Sequence, residues 1–128
     1  MSEELIIKLQ DAYQQSKGLE EKAEIIEQQL IELDKFRNVL NDLEKNKDSE
    51  ILAPVGKNVF AKSKIIEDTL FVDAGAGIFV RKTLEETREV VEDQLRRLGE
   101  MQIELSIDRE STDENLRDLI QDYEESVK

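Results

Sequence analysis

The stretch Asp73-Ala74-Gly75-Ala76-Gly77 has the residue types of a loop that cradles phosphate with its backbone amides. Such a loop needs a third glycine and a helix opening directly behind it. Here Ile78-Phe79-Val80 follows, so a hairpin turn is the better reading. Gly56-Lys57 has the dipeptide of a P-loop, without the glycine several residues earlier and without Ser or Thr after the lysine. Neighbouring carboxylates stand at Glu20-Glu21, Glu85-Glu86 and Asp122…Glu124-Glu125. They fall on helical faces where acid runs are solubilising, and none has calcium-loop spacing around a central glycine. The chain has no Cys and no His. That removes thiolate chemistry, disulfides, the common zinc sites and the usual proton carrier at neutral pH. No nucleophile–base pair is found, and the expectation is a protein that is not an enzyme, with no cofactor and no metal.

The chemistry left to this chain is apolar, and its densest stretch is residues 50–82. Val, Ile, Phe and Thr crowd it, and these residues suit a pleated surface. Pro54, Gly56, Gly75 and Gly77 punctuate it. Four short strands are expected, near Ile51–Pro54, Asn58–Ile66, Thr69–Asp73 and Ile78–Lys82. Glu67-Asp68 is a tight link between the second and third, and Ala74-Gly75-Ala76-Gly77 turns the third into the fourth. Both links are short enough for antiparallel hairpins. Phe60, Lys62 and Lys64 share one face of their strand, and Val59, Ala61, Ser63 and Ile65 the other. Strands apolar on both faces need cover that two helices cannot supply alone, which leaves a face or an edge for another chain.

Two helical arms must flank this block, residues 1–48 and 83–128. Leu5, Leu9, Ala12, Ser16, Leu19, Ala23, Ile26, Leu30 and Leu33 are spaced 4-3-4-3-4-3-4-3, a heptad seam. After Leu33 the pattern slips to Phe36, Leu40 and Leu43 where Arg37 would continue it, and a slip of three residues overwinds a coiled coil. Ser2 is the expected first cap, with Glu3 and Glu4 in the first turn and Lys45 and Lys47 at the close. Thr83-Leu84-Glu85-Glu86 is a capping box that opens the second arm. Its seam runs through Leu84, Val91, Leu95, Leu98, Leu105, Leu116, Leu119 and Tyr123, and is weak between Gln102 and Thr112. Each arm spans about 65–70 Å at the rise of an α-helix, so the two can pack antiparallel along their length.

The 128 residues carry a net charge of −13, and 38% of them are charged, against about 25% in an ordinary globular domain. Long exposed helices fit that better than one compact core. The acids lie in the arms: residues 1–49 have net charge −5, residues 50–82 +1 and residues 83–128 −9. Such a surface excludes nucleic acid and anionic membrane as partners. No apolar run reaches membrane-spanning length and the first residues lack a signal-peptide pattern, so a cytoplasmic protein is expected. Where the two chain ends meet, Leu5, Ile6, Ile7 and Leu9 face Leu116, Leu119, Ile120 and Tyr123, with Val127 beyond. Ile6, Ile7, Ile120 and Val127 exceed what a two-stranded seam buries. Ordinary packing at a frayed end and a surface for a partner both account for this.

Leu52-Ala53-Pro54-Val55-Gly56, Val59-Phe60-Ala61-Lys62 and Val72-Asp73-Ala74-Gly75-Ala76-Gly77-Ile78-Phe79-Val80 resemble the alpha-type subunit of prefoldin, and the order helix, two hairpins, helix is similar to that type. The chain departs from the pattern at Asn58, where other members often carry glycine. The resemblance implies an α+β chain: a long antiparallel two-helix coiled coil with two β-hairpins inserted at the bend, the hairpins forming an inter-subunit β-barrel. It implies a hexamer with beta-type prefoldin subunits, two alpha with four beta, and an ATP-independent holdase that passes unfolded client proteins to a group II chaperonin. On that plan Leu52, Val55, Val59, Phe60, Ile65, Leu70, Val72, Ile78 and Val80 carry oligomerisation. Leu5, Ile6, Ile7, Leu9, Leu116, Leu119, Ile120 and Tyr123 carry client contact. The alternative from the residues alone is a coiled-coil scaffold or tether that binds one folded partner.

Overall fold

The structure, a computed structural model, describes residues 2–128. In chain order the elements are α1 (Ser2–Lys45), β1 (Glu50–Gly56), β2 (Val59–Lys64), β3 (Thr69–Asp73), β4 (Phe79–Thr83) and α2 (Leu84–Ser126). The chain divides into two compact units, one of Met1–Ile31 with Arg96–Lys128 and the other of Glu32–Leu95.

The first unit is an antiparallel pair of helical segments. The Ser16 hydroxyl donates to the Asp113 carboxylate at 3.3 Å. Ile25 and Ile26 share a groove with Met101 and Leu105, so the partners descend on α2 as α1 ascends. Ala12, Ile26, Leu105 and Thr112 are buried. Of the small residues of the seam, Ala12 is buried and Ser16 and Ala23 are half-buried. In the weak stretch of α2, Gln102 and Arg109 are exposed while Leu105 and Thr112 hold the seam. The capping role expected of Ser2 lies outside the described side chains.

The second unit joins the C-terminal part of α1, both hairpins and the first turns of α2. The expected slip of three residues falls after Leu40 rather than after Leu33. Arg37 is half-buried, Leu40 is completely buried, and Phe36 is 42% exposed, so the seam passes through Arg37 to Leu40 and then, three residues on, to the half-buried Leu43, with Glu44 exposed. A cation is tolerated there because it is neutralised: Arg37 donates to Asp34 at 2.5 Å on its own helix and to Glu92 of α2 at 3.4 Å. These hydrogen bonds, to Asp34 first and Glu92 second, hold its pKa above the ordinary arginine value. Near the end of α1 the exposed Glu44 accepts from Arg88 of α2.

β1 pairs antiparallel with β2, and β3 with β4, as two separate two-stranded sheets. The register sets Leu52 opposite Lys62 and Pro54 opposite Phe60 in the first, and Val72 opposite Val80 and Phe71 opposite Arg81 in the second. β2 and β3 are not paired, so Glu67-Asp68 is not a hairpin turn. Residues 65–68 are a linker, held by Lys47 on the Asp68 carboxylate at 2.9 Å and by the Leu84 N–H on the Asp68 carbonyl at 3.0 Å. The Asp68 hydrogen bond, then its charge, raises the Lys47 pKa above its ordinary value.

The first hairpin turns instead at Lys57-Asn58, between the paired Gly56 and Val59. Both turn residues have positive φ, 48° and 63°, the pattern of the mirror-image turns whose twist matches a hairpin. Asparagine tolerates that conformation, which explains how the turn survives without glycine at 58. The second hairpin turns through Gly75, Ala76 and Gly77, all with positive φ. Asp73 caps this turn, its carboxylate accepting the Gly75 N–H at 2.9 Å.

Candidate functional site: two unpartnered apolar surfaces

The hairpins present one surface. Leu52 is 65% exposed, Val55 70%, and Val59, Phe60, Ile78, Val72 and Val80 are exposed with them. Ile65 and Leu70, expected among these, are half-buried instead. They line a cleft of about 620 Å³ with Leu43, Leu84 and Arg88. Strand geometry explains the sorting. Leu52 and Phe60 share one face of the first hairpin with Lys62, while Ile51, Ala53 and Ser63 on the other face are half-buried. In the second hairpin the Arg81 guanidinium sits 5.2 Å from the centroid of the Phe71 ring directly opposite, a ring that stays 57% exposed, and the Val72–Val80 pair occupies the other face. With two strands per sheet, every strand keeps one edge unpaired within this chain. An isolated two-stranded hairpin is at best marginal in water.

The end of the coil that carries Glu3 and Val127 presents the other surface. Ile6 is 39% exposed, Ile7 57%, Ile120 43% and Val127 63%, while Leu5, Leu9, Leu116, Leu119 and Tyr123 are half-buried in the seam. The seam residues thus serve the helix pair, and their neighbours face water. Tyr13, 58% exposed, belongs with the latter and was missed, because it follows the buried Ala12 rather than a large seam residue. Ile6 and Tyr13 each stand one residue past a seam position of α1, and Ile120 stands one past Leu119 of α2 with Val127 seven residues on. In an antiparallel pair these positions of the two helices flank the same side of the seam. Ile6, Tyr13, Ile120 and Val127 therefore make one strip, and Ile7 lies off it.

The Asp73–Gly77 loop spends an amide on its own carboxylate, which is the geometry of a turn and not of a phosphate cradle. Among the described residues no cluster of three or more His, Cys, Asp or Glu could hold a metal ion, and no helix is long and apolar enough to cross a membrane.

The sequence profile described as Prefoldin subunit matches residues 12–127. Prefoldin subunit alpha 2 of Thermococcus kodakarensis is 32% identical over 83 residues, covering 64% of this chain and 58% of that protein. Prefoldin subunit alpha of Methanobrevibacter smithii is 31% identical over 86 residues, covering 66% and 59%. The match thus spans under two thirds of either relative's own length. The fold matches the cryo-EM structure of filamentous PFD from Methanocaldococcus jannaschii with a TM-score of 0.70 at 21% identity, over 89% of this chain and 96% of that one. Two long helices around two antiparallel hairpins, the family profile over nearly the whole length and these relatives agree. The chain belongs to the prefoldin family, a family of chaperone subunits rather than of enzymes, and is of the alpha type.

Proposed function

We propose that this chain is the alpha subunit of an ATP-independent holdase of the cytoplasm, which captures unfolded protein segments on the coil end and passes them to a group II chaperonin. The observation that carries this reading is the strip Ile6, Tyr13, Ile120 and Val127, exposed on α1, on α2 and in the turn just past α2. An apolar strip without free backbone edges offers contact area but no fixed register, which suits many different sequences held weakly at several points. The hairpins serve assembly. Their exposed apolar side chains and unpaired edges fit strands of other prefoldin subunits in an inter-subunit barrel, two alpha chains with four beta-type chains.

The test is the native mass of the tagged chain purified from its own cells, followed by an aggregation assay with unrelated unfolded proteins. A particle of about six chains that suppresses aggregation with and without ATP supports the reading. A fixed complex with one folded protein and no suppression would replace it with a scaffold. The structural neighbour is described as filamentous, and assembly of this chain with its own copies is the second reading, seen as particles much larger than six chains. Removing residues 1–9 should spare assembly and weaken holding.

A further inference from the structure

The strip lies within residues 3–13 and 108–128, which carry eleven acids against four bases. All eleven acids are exposed. The ion pairs at Arg37, Lys47, Arg88 and Arg96 fall outside these segments. The apolar strip thus lies in segments of net negative charge whose acids all face water. Part of that charge also opposes the helix that carries it. The last turn of α2 contains no basic residue, while Asp122, Glu124 and Glu125 stand in or beside it. Acids at a helix C-terminus meet the negative end of the macrodipole and weaken the helix. A local choice made against helix stability points to a use outside the helix.

We propose that this face selects unfolded segments in which apolar residues are interspersed with lysine and arginine over equally apolar segments that carry acids. The inference rests on the holding role proposed above and names the class of segment held. Lysine and arginine fit both parts of the surface. Their aliphatic stems lie on apolar side chains such as Ile6 and Ile120, and their charged heads reach the acidic border. An arginine can also stack on the exposed Tyr13 ring. Glutamate in the client meets the same border as a like charge, which slows encounter as well as weakening contact.

The experiment uses the assembled native protein and three disordered, fluorescently labelled peptides of equal length and apolar content. One is interspersed with lysine and arginine, one with serine and one with glutamate. At low salt the basic peptide should bind about tenfold or more tighter than the acidic one. The gap should close to about twofold in ~0.5 M salt, where screening shortens the reach of charge to a few ångströms. Replacing Asp118, Asp122, Glu124 and Glu125 with Asn and Gln should narrow the low-salt gap. Equal binding of the basic and acidic peptides, with the serine peptide held, would overturn charge selection and leave the holding role standing. Failure to bind any of the three would overturn both. A folded basic protein bound as tightly as the basic peptide would show that cationic surface alone is recognised, and would also overturn the proposal.

Discussion

The hairpins and the coil end both leave large apolar side chains in water, but in different surroundings. On the hairpins, Leu52, Phe60, Val72 and Val80 sit on strands with an unpaired edge, in a block of net charge +1. At the coil end, Ile6, Tyr13 and Ile120 sit on helices, whose backbone is bonded internally, and Val127 sits just past α2, among eleven exposed acids. A strand edge imposes register, because each N–H and C=O must meet a partner at fixed spacing and a slip of one residue turns every side chain over. A helical strip imposes none. The first setting suits one permanent neighbour, and the second suits many transient ones. Apolar exposure alone does not distinguish the two surfaces; the backbone and the charge beside it do.

The contrast can be broken most severely at Val72. It faces Val80 across the second hairpin, so Val72→Asp puts a carboxylate on the face that assembly would bury. Burying an unpaired charge costs several kcal/mol, more than enough to separate subunits. Loss of the native oligomer with helical circular dichroism largely kept is the expected result, and an unchanged native mass would remove the hairpin face from the interface. The complementary change replaces Ile6, Tyr13, Ile120 and Val127 with serine. At roughly 0.5–1 kcal/mol for each partly exposed side chain, client holding should fall about thirtyfold or more with the native mass unchanged. If assembly fell with it, the two surfaces would not be separable.

Much of this was legible in the residues. The 4-3 spacing of α1 gave its buried stripe, and the capping box appears as drawn: Thr83 Oγ1 accepts the Glu86 N–H at 3.0 Å and Glu86 Oε1 accepts from the Thr83 backbone at 3.5 Å. What misled were residues whose chemistry fits two positions. Phe36 looked like a seam residue because it is apolar, and Arg37 looked excluded because it is charged. Spacing cannot reveal that Asp34 and Glu92 would neutralise that arginine. Strand pairing was misassigned in part because Glu67-Asp68 and Lys57-Asn58 are equally short links. The difference lies in the positive φ of Lys57 and Asn58, which neither residue type demands. Tyr13 was passed over because exposure beside a small seam residue leaves no periodic signal.

Smaller changes should sharpen the contrast by altering stability without touching either surface. Thr83→Ala removes the acceptor for the Glu86 N–H and should cost about 1 kcal/mol in thermal unfolding. Ala76→Gly should stabilise by about 0.5 kcal/mol, because an L-residue at φ 52° is disfavoured by about 1–2 kcal/mol and glycine's greater unfolded entropy returns part of that. In both variants the native mass and client holding should match the parent.

The smallest effect is expected at Lys47. Its pKa is raised above 10.5 in the folded chain by Asp68, so the folded state binds this proton more tightly than the unfolded state does. The stability it contributes is therefore fully present below that pH and is lost as pH rises through the folded value. Lys47→Met should lower the unfolding temperature slightly at pH 7, and the difference from the parent should shrink as pH rises through the raised folded pKa, above which the lysine is neutral in both states. The linker fixed by this pair separates the two sheets, so a variant that also lost oligomer at pH 7 would show that linker position, and not only the strand faces, decides assembly. Retained oligomer with the pH-dependent shift would confine Lys47 to local stability and leave the exposed strands as the sole determinant on that side of the comparison.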